Sequence, residues 1–229
     1  MTLAEQIIAA LNNLANPANV AGMARFGIKA ENTLGVTMPV LREMAKPYRN
    51  NHELALELWQ SGIHEARIMA SLVDNPKEVT IEQMETWTAE FDSWDVCDQV
   101  CSNLWEKTPY AYDKAIEWSR REDEFVKRAG FVLMARSVVG RKNPSPAQMA
   151  VIFAEIERGS TDKRNFVKKA VNWALRQIGK SSIELNRMAI ETAERIARID
   201  SPPARWTAAD ALRELKSGTV QQRLSSRKK

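Results

Sequence analysis

Trp94 and Asp98 stand four residues apart in the segment FDSWDVCDQVCSNLW, residues 91–105. If the segment is helical, both project from one side, because residues four apart on a helix lie one above the other. The face of an indole attracts cations. A carboxylate stabilises positive charge as it develops in a transition state. The pair therefore suits chemistry in which a cationic centre forms. Asp95, three residues before Asp98, could share the face, and two carboxylates could work as acid and base in the manner of a glycosidase. Cys97 and Cys101 lie in the same segment. Their spacing is poor geometry for a mutual disulfide, and two Cys among two His make no zinc pattern. They read as small buried residues in a reducing cytoplasm.

Other signatures are absent. His64 opens HEARI rather than HExxH, and no Walker A, GxGxxG or GxSxG motif occurs. With only His52 and His64, a Ser-His or Cys-His device has few bases to draw on. Both histidines read as polar residues near helix starts. No 18-residue apolar run is present, so no membrane span is expected, and MTLAEQIIAALNNLA reads as an amphipathic helix rather than a signal peptide. The formal net charge of +4 hides a polarity. Residues 1–119 carry 9 Lys/Arg and 17 Asp/Glu, while residues 120–229 carry 24 and 12. A basic face of this kind suits a polyanion such as nucleic acid, although a solvated surface with a basic tail gives the same count.

The elements that must hold these residues read as helix after helix, with apolar spacings of three and four and little alternation. Thr2 with Glu5 forms a capping-box pattern, Pro17 and Pro109 can open helices, and Thr37, Thr80 and Ser93 are N-cap candidates. DNP at 74–76 and NPSP at 143–146 are breaks, and FGIKAENTLGV at 26–36 is the longest irregular stretch. Five segments align: EARIMASL, VCDQVCSN, VKRAGFVL, VKKAVNWA and PARWTAAD. Their shared polar position holds Arg67, Asp98, Arg128, Lys169 and Arg205. Repeats at this interval predict an all-α fold of HEAT-like helical hairpins, stacked into a curved α-solenoid. One domain is expected over 1–229, with 216–229 as a frayed basic tail. The second helix of each hairpin would line a concave groove, and four of its five polar positions are basic. Asp98 is the exception. It is either a functional carboxylate in a cationic groove or the salt-bridge partner of Arg67 or Arg128.

Trp59, Trp87, Trp105 and Trp118 sit in apolar helical patterns and read as core. Trp94 shares a face with Asp98, and Trp173 lies one turn after Lys169, so both should face the groove.

On these residues the chain resembles the AlkD-like DNA glycosylases, HEAT-like-repeat enzymes of alkylation repair. The resemblance covers roughly residues 20–215. It rests on FGI at 26–28, LGVTMPVLREMAK at 34–46, HEARIMA at 64–70, WDVCD at 94–98, KRAGF at 127–131 and KKAVNWALRQIGK at 168–180. It implies a catalytic aspartate at Asp98, lesion-side tryptophans at Trp94 and Trp173, and a groove arginine at Arg128. The implied activity is hydrolysis of the N-glycosidic bond of cationic N3- or N7-alkylated purines in duplex DNA, without metal or other cofactor. Arg164, Lys168, Lys169 and Arg176 are the candidates for phosphate contacts. Residues 20–35 match the family pattern poorly, so the resemblance places no N-terminal DNA contact. The expected partner is double-stranded DNA containing alkylated bases, with no membrane and no obligate protein partner. A monomer in the cytoplasm is expected. The competing readings are a non-catalytic HEAT-repeat DNA-binding protein and a protein scaffold.

Overall fold

The computed structural model describes residues 1–139 and 144–226, and among these residues it forms fourteen α-helices, two short 3-10 turns and no strand. The chain divides into two compact units, Met1–Pro109 and Tyr110–Lys229.

The first unit holds α1 (Leu3–Asn13), α2 (Pro17–Ala24), α3 (Met38–Ala45), α4 (His52–Gln60), α5 (His64–Val73), α6 (Ile81–Ala89) and α7 (Trp94–Asn103). Their starts follow local chemistry. The Thr2 hydroxyl accepts from Glu5 N, and the Glu5 carboxylate accepts from Thr2 N, closing the capping box. Asn16 caps α2 with Pro17 at the first helical position, and Thr80 caps α6. Thr37 and Ser93 occupy N-cap positions, but neither side chain makes a capping bond. The core is aromatic. Trp59 and Trp87 stack with ring centroids 4.1 Å apart, and Trp105 tilts against Trp87 at 5.5 Å. All three are buried, as the apolar patterns predict. Cys97 and Cys101 are free and buried.

The second unit holds α8 (Ala111–Trp118), α9 (Glu124–Arg136), α10 (Pro146–Gly159), α11 (Asn165–Gly179), α12 (Ile183–Ala197), α13 (Pro202–Leu215) and α14 (Gly218–Ser226). Here α9 packs between α8 and α11, and α11 also meets α10, α12 and α13. The approach of α9 to α8 depends on Gly130. A Cβ there would lie 2.4 Å from Ser119 N and 2.8 Å from the Ala115 carbonyl oxygen. The expected break at NPSP falls partly on Asn143, outside the described residues, and Ser145 with Gln148 caps α10 in a second capping box. Within the segment expected as a basic tail, Gly218–Ser226 forms α14, in which Val220 and Leu224, apolar at i and i+4, are buried.

The five aligned segments fall on α5, α7, α9, α11 and α13, the second helices of five successive hairpins. Several side-chain contacts between neighbouring helices share one offset within each unit. In the first, Trp59 meets Glu90 and His64 meets Asp95, both 31 residues on. In the second, Arg128 meets Phe166, Asn172 meets Asp210 and Arg176 meets Glu214, all 38 residues on. The alignment steps of 41 and 36 are therefore out of register by two or three residues. The structural row puts Lys168 opposite Trp206, while Lys169 and Arg205 are exposed. Among the described residues no helix is long and apolar enough to cross a membrane.

Candidate active site

In α7, Val96, Cys97, Val100 and Cys101 are buried, and α7 packs against α5. Trp94 and Asp98 are half-buried at the edge of that stripe. The indole N–H of Trp94 donates to the carbonyl oxygen of Phe26 at 3.1 Å. A tryptophan in the first turn of α7 is thus tied to the irregular 26–36 segment.

That segment is itself clamped. Glu65, 1% exposed, accepts from the backbone N–H groups of Leu34 (2.8 Å), Gly35 (2.6 Å) and Val36 (3.2 Å). His64 N donates to the Asn32 carbonyl, and the Asn19 side-chain amide donates to the Gly35 carbonyl. Gly35 has φ +77°, and a Cβ on it would lie 2.4 Å from the Asn16 carbonyl oxygen. The LGV and HEAR motifs are therefore one structural unit, a carboxylate filling a cup of three amide N–H groups. Sequence reasoning did not find this clamp. The available signal was a carboxylate inside an otherwise apolar helical segment.

His64 sits at the start of α5, 6% exposed, with Nε2 2.8 Å from Asp95 Oδ2 at the start of α7. Burial alone would lower the imidazole pKa. The Asp95 carboxylate opposes this, with Glu65 and Asp92 behind it, and holds the pKa above the ordinary 6.5. Burial likewise works against ionised Asp95, but His64 holds its pKa below the usual carboxylate value. Asp95 is therefore the ion-pair partner of His64, which removes it as a proton-sharing partner for Asp98. Arg67 pairs with Glu90 at 3.0 Å and lies over Trp59, 5.0 Å from the ring centroid. The salt bridge of Arg67 is thus to Glu90 rather than to Asp98.

In the second unit, Arg128 on α9 is 6% exposed, and its Nη1 donates to the Phe166 carbonyl at 2.6 Å. Trp173 is half-buried on α11. Of the four phosphate candidates, two are held in ion pairs. Arg164 grips Asp162 at 2.6 Å and also donates to the Glu122 carbonyl. Arg176 lies 2.7 Å from Glu214 and 3.5 Å from Asp210. Burial would raise the Asp162 pKa, but Arg164 and Lys127 pull it down to about 2. Lys168 makes no ion pair among the described residues and lies 4.6 Å from the Trp206 ring centroid. Lys169 is exposed and likewise makes no ion pair there. Among the described residues no three His, Cys, Asp or Glu side chains cluster as a metal site would require.

The family model described as "DNA alkylation repair enzyme" matches residues 7–215. The protein "Uncharacterized protein Lin0241" of Listeria innocua is 25% identical over 150 residues, and the match covers 65% of each chain. The chain thus spans a little less than two thirds of that curated relative's length. One solved structure superposes with a TM-score of 0.79 at 20% identity, covering 96% of this chain and 95% of the other. It is described as belonging to "a new family of proteins related to the HEAT-like repeat DNA glycosylases with affinity for branched DNA structures". Since that family match runs from α1 to the end of α13, this chain belongs to the DNA alkylation repair enzyme family.

Proposed function

We propose that the protein is a DNA glycosylase that releases cationic N3- and N7-alkylated purines from duplex DNA. The observation that carries this reading is that Trp94 and Asp98 stand one turn apart on α7, both half-buried, inside a chain that matches the alkylation repair family. An N3- or N7-alkylated purine is already positively charged. When its N-glycosidic bond breaks, the bonding electron pair goes to the base, which leaves neutral. The positive charge moves to the sugar, giving an oxocarbenium-like centre at C1′. Such a leaving group needs no acid. It needs negative charge beside the sugar and a placed water. Asp98 supplies the charge and orients the water. Water adds at C1′, its proton passes to Asp98 and then to solvent, and the products are free base and an abasic site. Trp94 packs beside the deoxyribose, and its face favours the developing cation. On the second unit, Arg128 and Trp173 are proposed to contact DNA backbone, with Lys168 and Lys169 on phosphates.

A second reading is supported by the solved relative with affinity for branched DNA. In it, the protein binds DNA structure and breaks no bond. Treating methylated and uracil-containing duplexes side by side separates the two. A glycosylase of the proposed kind releases 3-methyladenine or 7-methylguanine and leaves the uncharged uracil in place. Tight binding to branched DNA with no release from methylated DNA would sink the enzymatic reading.

A further inference from the structure

We propose that Trp206 is a positioning residue for DNA binding: its indole holds the Lys168 ammonium in place, with its charge intact, for one phosphate of the DNA backbone. The proposal rests on the function proposed above, in which Lys168 meets a phosphate.

The seam between α11 and α13 is a ladder of side-chain pairs. Lys168, Asn172 and Arg176 follow one another at four-residue steps on α11, so they share a face. Their partners on α13, Trp206, Asp210 and Glu214, follow the same step. The Lys168 Nζ lies 4.6 Å from the Trp206 ring centroid, the Asn172 amide donates to Asp210 at 2.7 Å, and Arg176 lies 2.7 Å from Glu214. In the second and third rungs α13 supplies a carboxylate. In the first it supplies an indole.

The two kinds of rung join the helices alike but differ in net charge. A carboxylate that holds a cation also cancels it, and Arg176 has Asp210 at 3.5 Å as well as Glu214. An indole attracts a cation through its ring face and carries no charge of its own. Lys168 makes no ion pair among the described residues, so its rung stays positive. Arg67 and Lys114 also lie over tryptophans, Trp59 and Trp118, but each is neutralised by a carboxylate, Glu90 at 3.0 Å and Glu117 at 2.8 Å. Those two tryptophans are buried and pack the core, whereas Trp206 is 40% exposed.

The surroundings leave that charge available. Neither α11 nor α13 has an acid in its first turn. Asp200, just ahead of α13, is taken up by Arg205 at 2.8 Å. A lysine side chain is flexible, and ordering it on a phosphate costs part of the contact energy. The indole orders it before DNA arrives, so less is lost on binding.

The test measures binding of the full chain to a short duplex across a salt series, with wild type, Trp206→Phe, Trp206→Leu, Lys168→Gln and the double variant Lys168→Gln, Trp206→Leu. Trp206→Leu should weaken binding about threefold to fivefold, the span of an exposed cation–aromatic contact, and Trp206→Phe should weaken it less. Lys168→Gln should lower the salt slope by about one. In the Lys168→Gln protein, Trp206→Leu should change affinity no further, because the lysine it positions is gone. Trp206 is exposed, so its variants should fold, with unchanged circular dichroism as the check. Should Leu disturb α13, the comparison in the two backgrounds is made with Trp206→Phe. A loss of the same size with and without Lys168 overturns the proposal, since a purely structural tryptophan behaves that way. Trp206→Leu that binds like wild type overturns it as well. If wild type releases methylated purines and Trp206→Leu binds and releases equally well, the positioning role falls and the glycosylase reading stands. If wild type neither binds nor releases, both fall.

Discussion

At the residue scale, the site depends on which acids are held and for what. Asp95 and Asp98 have the same chemistry and lie one turn apart, and it is Asp95 that pairs with His64. Asp95 is locked to His64, and Trp94 is locked to the Phe26 carbonyl. Trp94→Ala should therefore cost catalysis in two ways, by removing the aromatic face beside the sugar and by loosening the 26–36 segment. We expect base release to fall about tenfold to a hundredfold, with binding reduced less. Single-turnover rates beside DNA affinities would show it. The His64–Asp95 pair makes a second prediction. A histidine whose folded pKa lies above its unfolded value contributes stability that is fully present below about pH 6.5 and is lost as pH rises through the folded pKa. Replacing it by His64→Asn should flatten the fall in denaturation midpoint as pH rises above about 6.5. An unchanged pH profile in the variant would show that His64 carries no such linkage.

At the element scale, α5 and α7 are set side by side and the 26–36 segment is bolted across their starts. Glu65 is the bolt. Glu65→Gln would place an amide N–H₂ against backbone N–H groups and should lower stability by about 3 kcal/mol. The loss should be partly local, appearing as faster hydrogen exchange at Leu34–Val36 before global unfolding. Much of this level was legible in the sequence. The five aligned segments all landed on second helices, because small and apolar residues are required wherever one repeat packs on the next. The core tryptophans were legible for the same reason. The register in the second unit was not, because Lys169 and Arg205 match the pattern by type while the contacts run from Lys168, Asn172 and Arg176. The helical C-terminus was missed because two apolar residues among basic ones carry little periodic signal. The Glu65 cup was missed because its partners are backbone groups, which no side-chain pattern reveals.

At the scale of the whole molecule, the lopsided charge predicts DNA affinity that falls steeply with salt, by about one power of salt concentration for each phosphate neutralised. The ion pairs sort which cations carry it. Lys168→Gln with Lys169→Gln should reduce the salt slope by about two. Arg176→Gln should leave the slope near wild type and lower stability instead, since Arg176 serves Asp210 and Glu214. Equal slopes for all three proteins would refute this division.

The most direct test of the central claim is single-turnover release of 7-methylguanine from a defined duplex, by wild type and by Asp98→Asn, with DNA binding measured on the same samples. The account predicts release by wild type, a loss of about a hundredfold or more in the variant, and binding that is retained or improved. Equal rates for the two proteins, or no release by either with binding intact, would contradict a catalytic role for Asp98.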